Sequence, residues 1–184
     1  MTRYIFISFF VLVGILLFSL ATLQKIQPEP PYFLRFDERA FNHQTQLNLE
    51  VQSSVEPTPG QLTTLEKDLK AIWAHLNYIY ESNYLKPGKD RFTERFYQSL
   101  AEAYPGQLSG SVKRQDLSHH VIIKNWSRDG LACQLIDSAA VFQYHLPAGD
   151  SIQTEASIAM ALYFQGDNWR LDALKIINEK PFNP

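Results

Sequence analysis

From Ile5 to Leu23 the chain carries no charge, no proline and no side-chain amide. As an α-helix this run would rise ~28 Å at 1.5 Å per residue, close to the ~30 Å hydrocarbon core of a bilayer. Its isoleucines, phenylalanines, leucines and valines each contribute roughly −0.3 to −0.6 kcal/mol near the bilayer centre, so insertion is favourable. Tyr4 and Lys25 stand where interfacial anchors belong. Ser8, Gly14 and Ser19 form no small-xxx-small dimer seam. The rest of the 184 residues are mostly polar. A chain of this kind is expected to hang a soluble domain from one membrane helix, at 5–24, behind a short cytoplasmic tail at 1–4.

A cleaved signal peptide is the competing reading. Ser19-Leu-Ala21 has the small-x-small form of a cleavage site, and Arg3 gives a basic start. The apolar run exceeds the usual ~7–15 residue signal core, which favours an uncleaved signal-anchor. No cysteine lies at or just after the end of the run, which excludes a lipoprotein. Lys25, Arg35 and Arg39 beyond the helix outnumber Arg3 before it and oppose the positive-inside order. Long domains translocate largely regardless of such charges. The expected arrangement is therefore amino terminus inside, with the carboxy-terminal domain periplasmic or otherwise extracytoplasmic on the inner membrane.

Beyond the run there is enough chain for one domain with a sizeable core. Aromatics make up 13% of residues, which supports a packed interior. Net charge is −2 with acids and bases mixed, so no electrostatic argument favours a nucleic acid partner. Cys133 is the only cysteine and sits in the alternating segment Leu131-Ala-Cys-Gln-Leu135, where it reads as a small buried hydrophobe rather than a nucleophile.

Gln27-Pro-Glu-Pro-Pro31 predicts a stiff, extended spacer within a tether at 25–60. Fully extended, Gln24 to Pro31 spans only ~25 Å, which would keep the domain near the membrane. Leu47, Leu49 and Val51 alternate with polar residues, the pattern of a half-buried strand. It is either an extra edge strand of the domain or an arm that docks on a partner. The domain itself is placed at 61–184.

Leu62, Leu65, Leu69, Ile72, Leu76 and Ile79 recur at helical spacing, with Trp73 and Tyr80 widening the stripe and Lys67, Asp68 and Lys70 outside it. Thr63 with Glu66 reads as a capping box, and Pro87-Gly88 as the stop. A second amphipathic helix is predicted at 90–103. From Leu117 the period changes to two, giving strands that end at Trp126, then 131–146, 152–165 and 169–177, with a hairpin signal at Gly166-Asp-Asn168. The parity of apolar residues switches within the second strand, between Leu135 and Phe142, and within the last, between Leu171 and Leu174. Each switch predicts a bulge or bend. The expected fold class is α+β: a transmembrane helix, then two amphipathic helices filling the concave side of a curved four-stranded antiparallel meander.

That order, and the ending Ala161-Leu-Tyr-Phe-Gln-Gly-Asp-Asn-Trp-Arg-Leu-Asp-Ala-Leu-Lys175, resembles the nuclear transport factor 2-like superfamily of cone-shaped folds, over roughly 62–177. With its anchor and tether the chain also resembles single-pass inner-membrane assembly proteins of type IV secretion. The resemblance implies a bacterial envelope protein with an extracytoplasmic domain. The same superfamily includes isomerase-like and cyclase-like enzymes, so the resemblance leaves the reaction open.

His119 and His120 are adjacent in a strand, so they point to opposite faces and cannot share one metal. Counting through the turn Ser127–Gly130 sets Asp137 or Ser138 opposite them. A His–Asp pair facing inward could serve as a general base, although a structural histidine is the plainer reading. Asp172 is a candidate inward carboxylate, the group that serves as base in isomerase-like relatives, or else part of a bulge paired with Arg170. Tyr78, Tyr80, Tyr84, Tyr97 and Tyr104 could line a pocket, but read first as core aromatics. His43, His75 and His145 stand apart, without metal-ligand spacing. Gly106–Gly110 reads as a loop, and Asn125-Trp-Ser127 as a chance sequon. No catalytic motif, phosphate loop or cofactor signature appears.

The leading expectation is a membrane-anchored scaffold or assembly subunit whose partners are the bilayer and other envelope proteins. The alternative is a small-molecule binder or isomerase-like enzyme using the cone interior. Ser157, Ala159 and Ala161 share one parity and would offer a smooth face to a second copy or another protein.

Overall fold

The structure, a computed structural model, describes residues 45–82, 85–103, 113–146 and 149–182, all within the unit Phe36–Pro184. The Ile5–Leu23 run and the proline spacer lie outside the described residues. No helix among the described residues is long and apolar enough to cross a membrane.

Helix α1 spans Pro59–Ser82. Its cap lies a turn earlier than Thr63 and Glu66 predict. Thr58 Oγ1 accepts from Gln61 N at 3.3 Å, and Gln61 Oε1 accepts from Thr58 N at 2.8 Å. This is a capping box with proline at the first helical position, where the missing N–H costs nothing. Thr63 is already inside the helix and donates to Pro59 O at 3.0 Å. The predicted stripe is buried: Leu65, Leu69, Ile72, Trp73 and Ile79 all enter the core. Asp68, expected outside the stripe, is buried too. Its carboxylate accepts from Trp169 N at 2.9 Å and from Arg91 at 3.2 Å.

A 3₁₀ turn, Lys86–Arg91, separates α1 from α2, Glu94–Ala103. The second helix therefore starts four residues later than predicted. Thr93 caps it, accepting from Phe96 N at 3.3 Å, while Thr93 N donates to Leu171 O at 3.0 Å. The bridge of Phe92 to Leu171 leaves Asp90 and Arg91 in the connection rather than the helix.

Five strands follow one another across a single sheet: β1 (Gln46–Val51), β2 (Lys113–Trp126), β3 (Ala132–His145), β4 (Ser151–Gln165) and β5 (Asn168–Pro181). The pairs from β2 to β5 are antiparallel, as the meander predicts. The fifth strand corrects the four-stranded expectation. The alternating segment around Leu49 joins the edge as β1, parallel to β2, so the sheet is mixed. Strands β2 and β5 also outrun their predicted ends, because the polar segments Lys113–Asp116 and Asn178–Pro181 pair in the ladder with β3 and β4, without an alternating apolar face to announce them. Gly166, at φ 74, supplies the positive-φ position of the β4–β5 hairpin.

Both predicted phase changes appear as register shifts, at Asp137/Ala140 between β3 and β4, and beside Asp172 between β4 and β5. Strand β2 carries three further shifts against β3 that its sequence pattern does not announce. Helix α1 packs on β2 and β5, and α2 on β5. The core between helices and sheet centres on Trp73, Trp126, Trp169, Phe92 and Phe142. Trp126 and Trp169 sit 5.0 Å apart at a tilt of 57°, a geometry that favours the ring quadrupoles.

Candidate functional site

Three strand residues converge beneath α1. His119 Nδ1 lies 2.6 Å from Asp137 Oδ2, and His119 Nε2 lies 3.3 Å from Asp116 Oδ2. The His119 and Asp137 side chains have no exposed surface. Asp137 Oδ1 also accepts from His120 N at 3.2 Å, so the carboxylate ties two consecutive β2 residues to β3. Asp116 accepts from Thr45 Oγ1 at 2.5 Å and from the Asn77 amide of α1. Arg114 Nε donates to Asn77 Oδ1 at 2.7 Å. Trp73 covers the imidazole, stacked at 4.7 Å and 18°.

Electrostatics favour the charged form of His119. Burial alone pushes its pKa down; the hydrogen bonds to Asp116 and Asp137, reinforced by their charges, outweigh burial and hold it above the ordinary histidine value. Burial likewise pushes Asp116 up, but the bonds from His119 and Thr45 prevail and hold it at about 2. When protonated, His119 donates from both ring nitrogens and has no lone pair left to take a proton or bind a metal. The cluster's immediate chemistry is therefore to fasten β2 to β3 and α1. Among the described residues, no three His, Cys, Asp or Glu side chains gather as a metal site.

Of the two histidines, His119 is the one that meets Asp137, and His120 turns to the opposite face. There it is half-buried; Asn48 Nδ2 donates to its Nδ1 at 3.3 Å, and its Nε2 lies 3.2 Å from Glu50 Oε2. Ser138 Oγ donates to His120 O at 3.2 Å. Asp172 is not with them. It is the extra residue at the β5 shift, receiving Thr93 Oγ1 at 2.7 Å and the Arg95 guanidinium, while Arg170 turns to Asn168. Its partner is thus Arg95 rather than the expected Arg170, because α2 packs on the outer edge of β5. Leu47 and Leu49 pack against the domain's own core, and Val51 is exposed. Ser157, Ala159 and Ala161 lie half-buried on the face of β4 that carries no helix among the described residues, alternating with buried Ala156, Ile158, Met160 and Leu162. Cys133 is buried, and burial pushes its thiol far above the ordinary range. Of the tyrosine candidates, Tyr84 and Tyr104 lie outside the described residues, as does Gly106–Gly110.

Asp116, Asn77, Thr45 and Arg114 were invisible to pattern reading. Asp116 and His119 are three apart, and strict alternation would put them on opposite faces. Register shifts at Asp116/Ser118 and Ser118/Val121 rotate them onto one side. The only sequence signal was the unusual density of polar residues in a segment flanked by apolar strand.

A cavity of about 130 Å³ lies between α1, α2 and the sheet. Buried Trp73, Phe142 and Ile158 line it together with half-buried Arg114 and Tyr144 and exposed Glu179, so it runs from a closed floor to an open rim.

No model of a known protein family matches this chain, and no curated protein matches it.

Proposed function

We propose that this chain is a membrane-anchored, extracytoplasmic scaffold or assembly subunit of a bacterial envelope complex, working through protein–protein contacts. The observation that carries the reading is the sealing of Asp116, His119 and Asp137 under Trp73. The residues best suited to acid–base chemistry are fully engaged in holding the sheet together. The apolar Ile5–Leu23 run and the proline spacer add the anchor and the short reach. The face of β4 that is smooth at Ser157, Ala159 and Ala161 is the surface assigned to partners, a second copy included.

Mild-detergent extraction of the full chain from its native membrane, with a photo-crosslinker at Ala159, tests this. Stoichiometric partners crosslinked through Ala159 are expected. A monodisperse monomer with no crosslink would sink the proposal. A reporter fused after Pro184 tests the topology, and signal from the cytoplasmic side would reverse it.

A second reading, a small-molecule binder, is favoured by the cavity beside Trp73 and Arg114, which combines an apolar floor with a basic group at its entrance.

A further inference from the structure

Trp73 and Arg114 line the same cavity, and each carries a hydrogen-bond donor that no described residue matches. The Trp73 indole is 2% exposed, and its Nε1–H meets no acceptor among the described residues. A buried donor without a partner costs about 1–3 kcal/mol, so such groups are rare and call for an explanation. Arg114 is anchored only at Nε, by Asn77 Oδ1, and makes no ion pair among the described residues. Its guanidinium lies 5.0 Å from the Tyr80 ring and 5.1 Å from the Phe142 ring. The two aromatic neighbours hold the fork in place while its terminal nitrogens remain free to donate. The remaining walls, including Leu76, Ile79, Phe96 and Leu100, are apolar.

Resting on the small-molecule reading above, we propose that this cavity binds a small monocarboxylic acid, its carboxylate on Arg114 and its apolar body between the helices and the sheet. The volume sets the size of that body. A dry apolar cavity of ~150 Å³ accepts benzene, so about 130 Å³ admits one six-membered ring or an aliphatic chain of similar bulk. The charge sets the head group. A guanidinium offers parallel N–H donors that match two carboxylate oxygens, and the unmatched indole N–H belongs to a residue of the same lining. Glu179 sets the limit of one acid. It stands at the exposed rim, receiving Thr154 Oγ1 at 2.8 Å and the Tyr144 hydroxyl at 3.4 Å. A second carboxylate on the ligand would meet this like charge.

The test uses the full chain in detergent micelles, with benzoate, benzyl alcohol and terephthalate as probes and binding read by calorimetry and saturation-transfer NMR. Benzoate is expected to bind at least tenfold tighter than either of the others. Arg114→Gln is expected to lower benzoate affinity at least tenfold and leave benzyl alcohol unchanged. Leu100→Trp, which fills the cavity from α2, is expected to abolish benzoate binding without lowering the melting temperature. If Arg114→Gln does not fold, Leu100→Trp decides alone. Equal binding of benzoate and benzyl alcohol, benzoate binding that survives either variant, or no benzoate binding to folded wild-type protein would each overturn the proposal. Partner crosslinking is scored separately. Loss of the acid site with partners retained removes this inference alone, and benzoate binding without partners removes the scaffold alone.

Discussion

His119 in β2 and Asp137 in β3 are joined at 2.6 Å, with neither side chain reaching solvent. The bond lies where β3 shifts register, between Asp137 and Ala140, and where β2 shifts on either side of Ser118. Bulges break ladder bonds locally. Here an ion pair lies where the ladder is weakest, and Asn77 extends it to α1.

Breaking that pair should cost far more than a surface ion pair. Asp137→Asn replaces the shorter of His119's two carboxylate contacts by a neutral one and leaves Asp116 as its single acidic partner. Loss of one partner of a buried pair typically costs about 3–5 kcal/mol, and the remaining Asp116 makes that the upper end here. Urea titration of the variant should show a midpoint shift of up to that size. A loss below ~1 kcal/mol would mean that the cluster does not fasten the sheet.

The pH dependence should have two limbs. The pKa of Asp116 is depressed to about 2, so its contribution is complete above its unfolded value near ~3.9 and is lost as pH falls toward about 2. The pKa of His119 is raised, so its contribution is complete below ~6.5 and is lost as pH rises through the folded-state value. Melting temperatures should therefore fall from pH 6 toward pH 9, and fall again below pH 4. The alkaline limb should disappear in His119→Gln, which must be compared by slope because its overall stability will be lower.

The capping box at Thr58 and Gln61 predicts a modest, local effect. Thr58→Ala should lower stability by ~1 kcal/mol, whereas Thr63→Ala, inside the helix, should change it by less than half of that. Chemical denaturation of the two variants side by side separates the observed cap from the one that the sequence suggests.

Cys133 should be chemically silent in the folded domain. It is 4% exposed, and burial raises its pKa, while only the thiolate reacts. Iodoacetamide should label it after denaturation and not before. Rapid labelling of native protein would contradict the packing of β3 against β4.

The Ala159 face of β4 offers a test of partners without a change of fold. Ala159→Arg places a long charge on a half-buried position away from the core, where substitutions usually stay within ±0.5 kcal/mol. Stability should be nearly unchanged while crosslinking to the partners proposed above falls severalfold.

Much of the architecture was readable along the chain. The stripe from Leu62 to Ile79, the hairpin at Gly166 and the two phase changes are local signals, because the side-chain periods of helix and strand are set by backbone geometry. Parity also put His119 and His120 on opposite faces, but it did not say which of them turns inward. The strand around Leu49 was legible as a strand but not as a place. Its parallel pairing with β2 joins residues 72 apart, such as Leu47 and His119, and nothing local records such a partner.

By itself, then, the sequence determined the apolar Ile5–Leu23 run, the two amphipathic helices and the order of the antiparallel strands, since each depends on neighbours a few residues away. Only the tertiary structure decided that Asp116 joins His119, that Asp68 is buried under Trp169, that Asp172 pairs with Arg95, and that Arg114 and Trp73 line one cavity. These outcomes depend on bulges that rotate a face and on residues distant in the chain that meet only when helices and sheet pack. Burial then decides which charges must be matched, because a low-dielectric interior penalises those left alone.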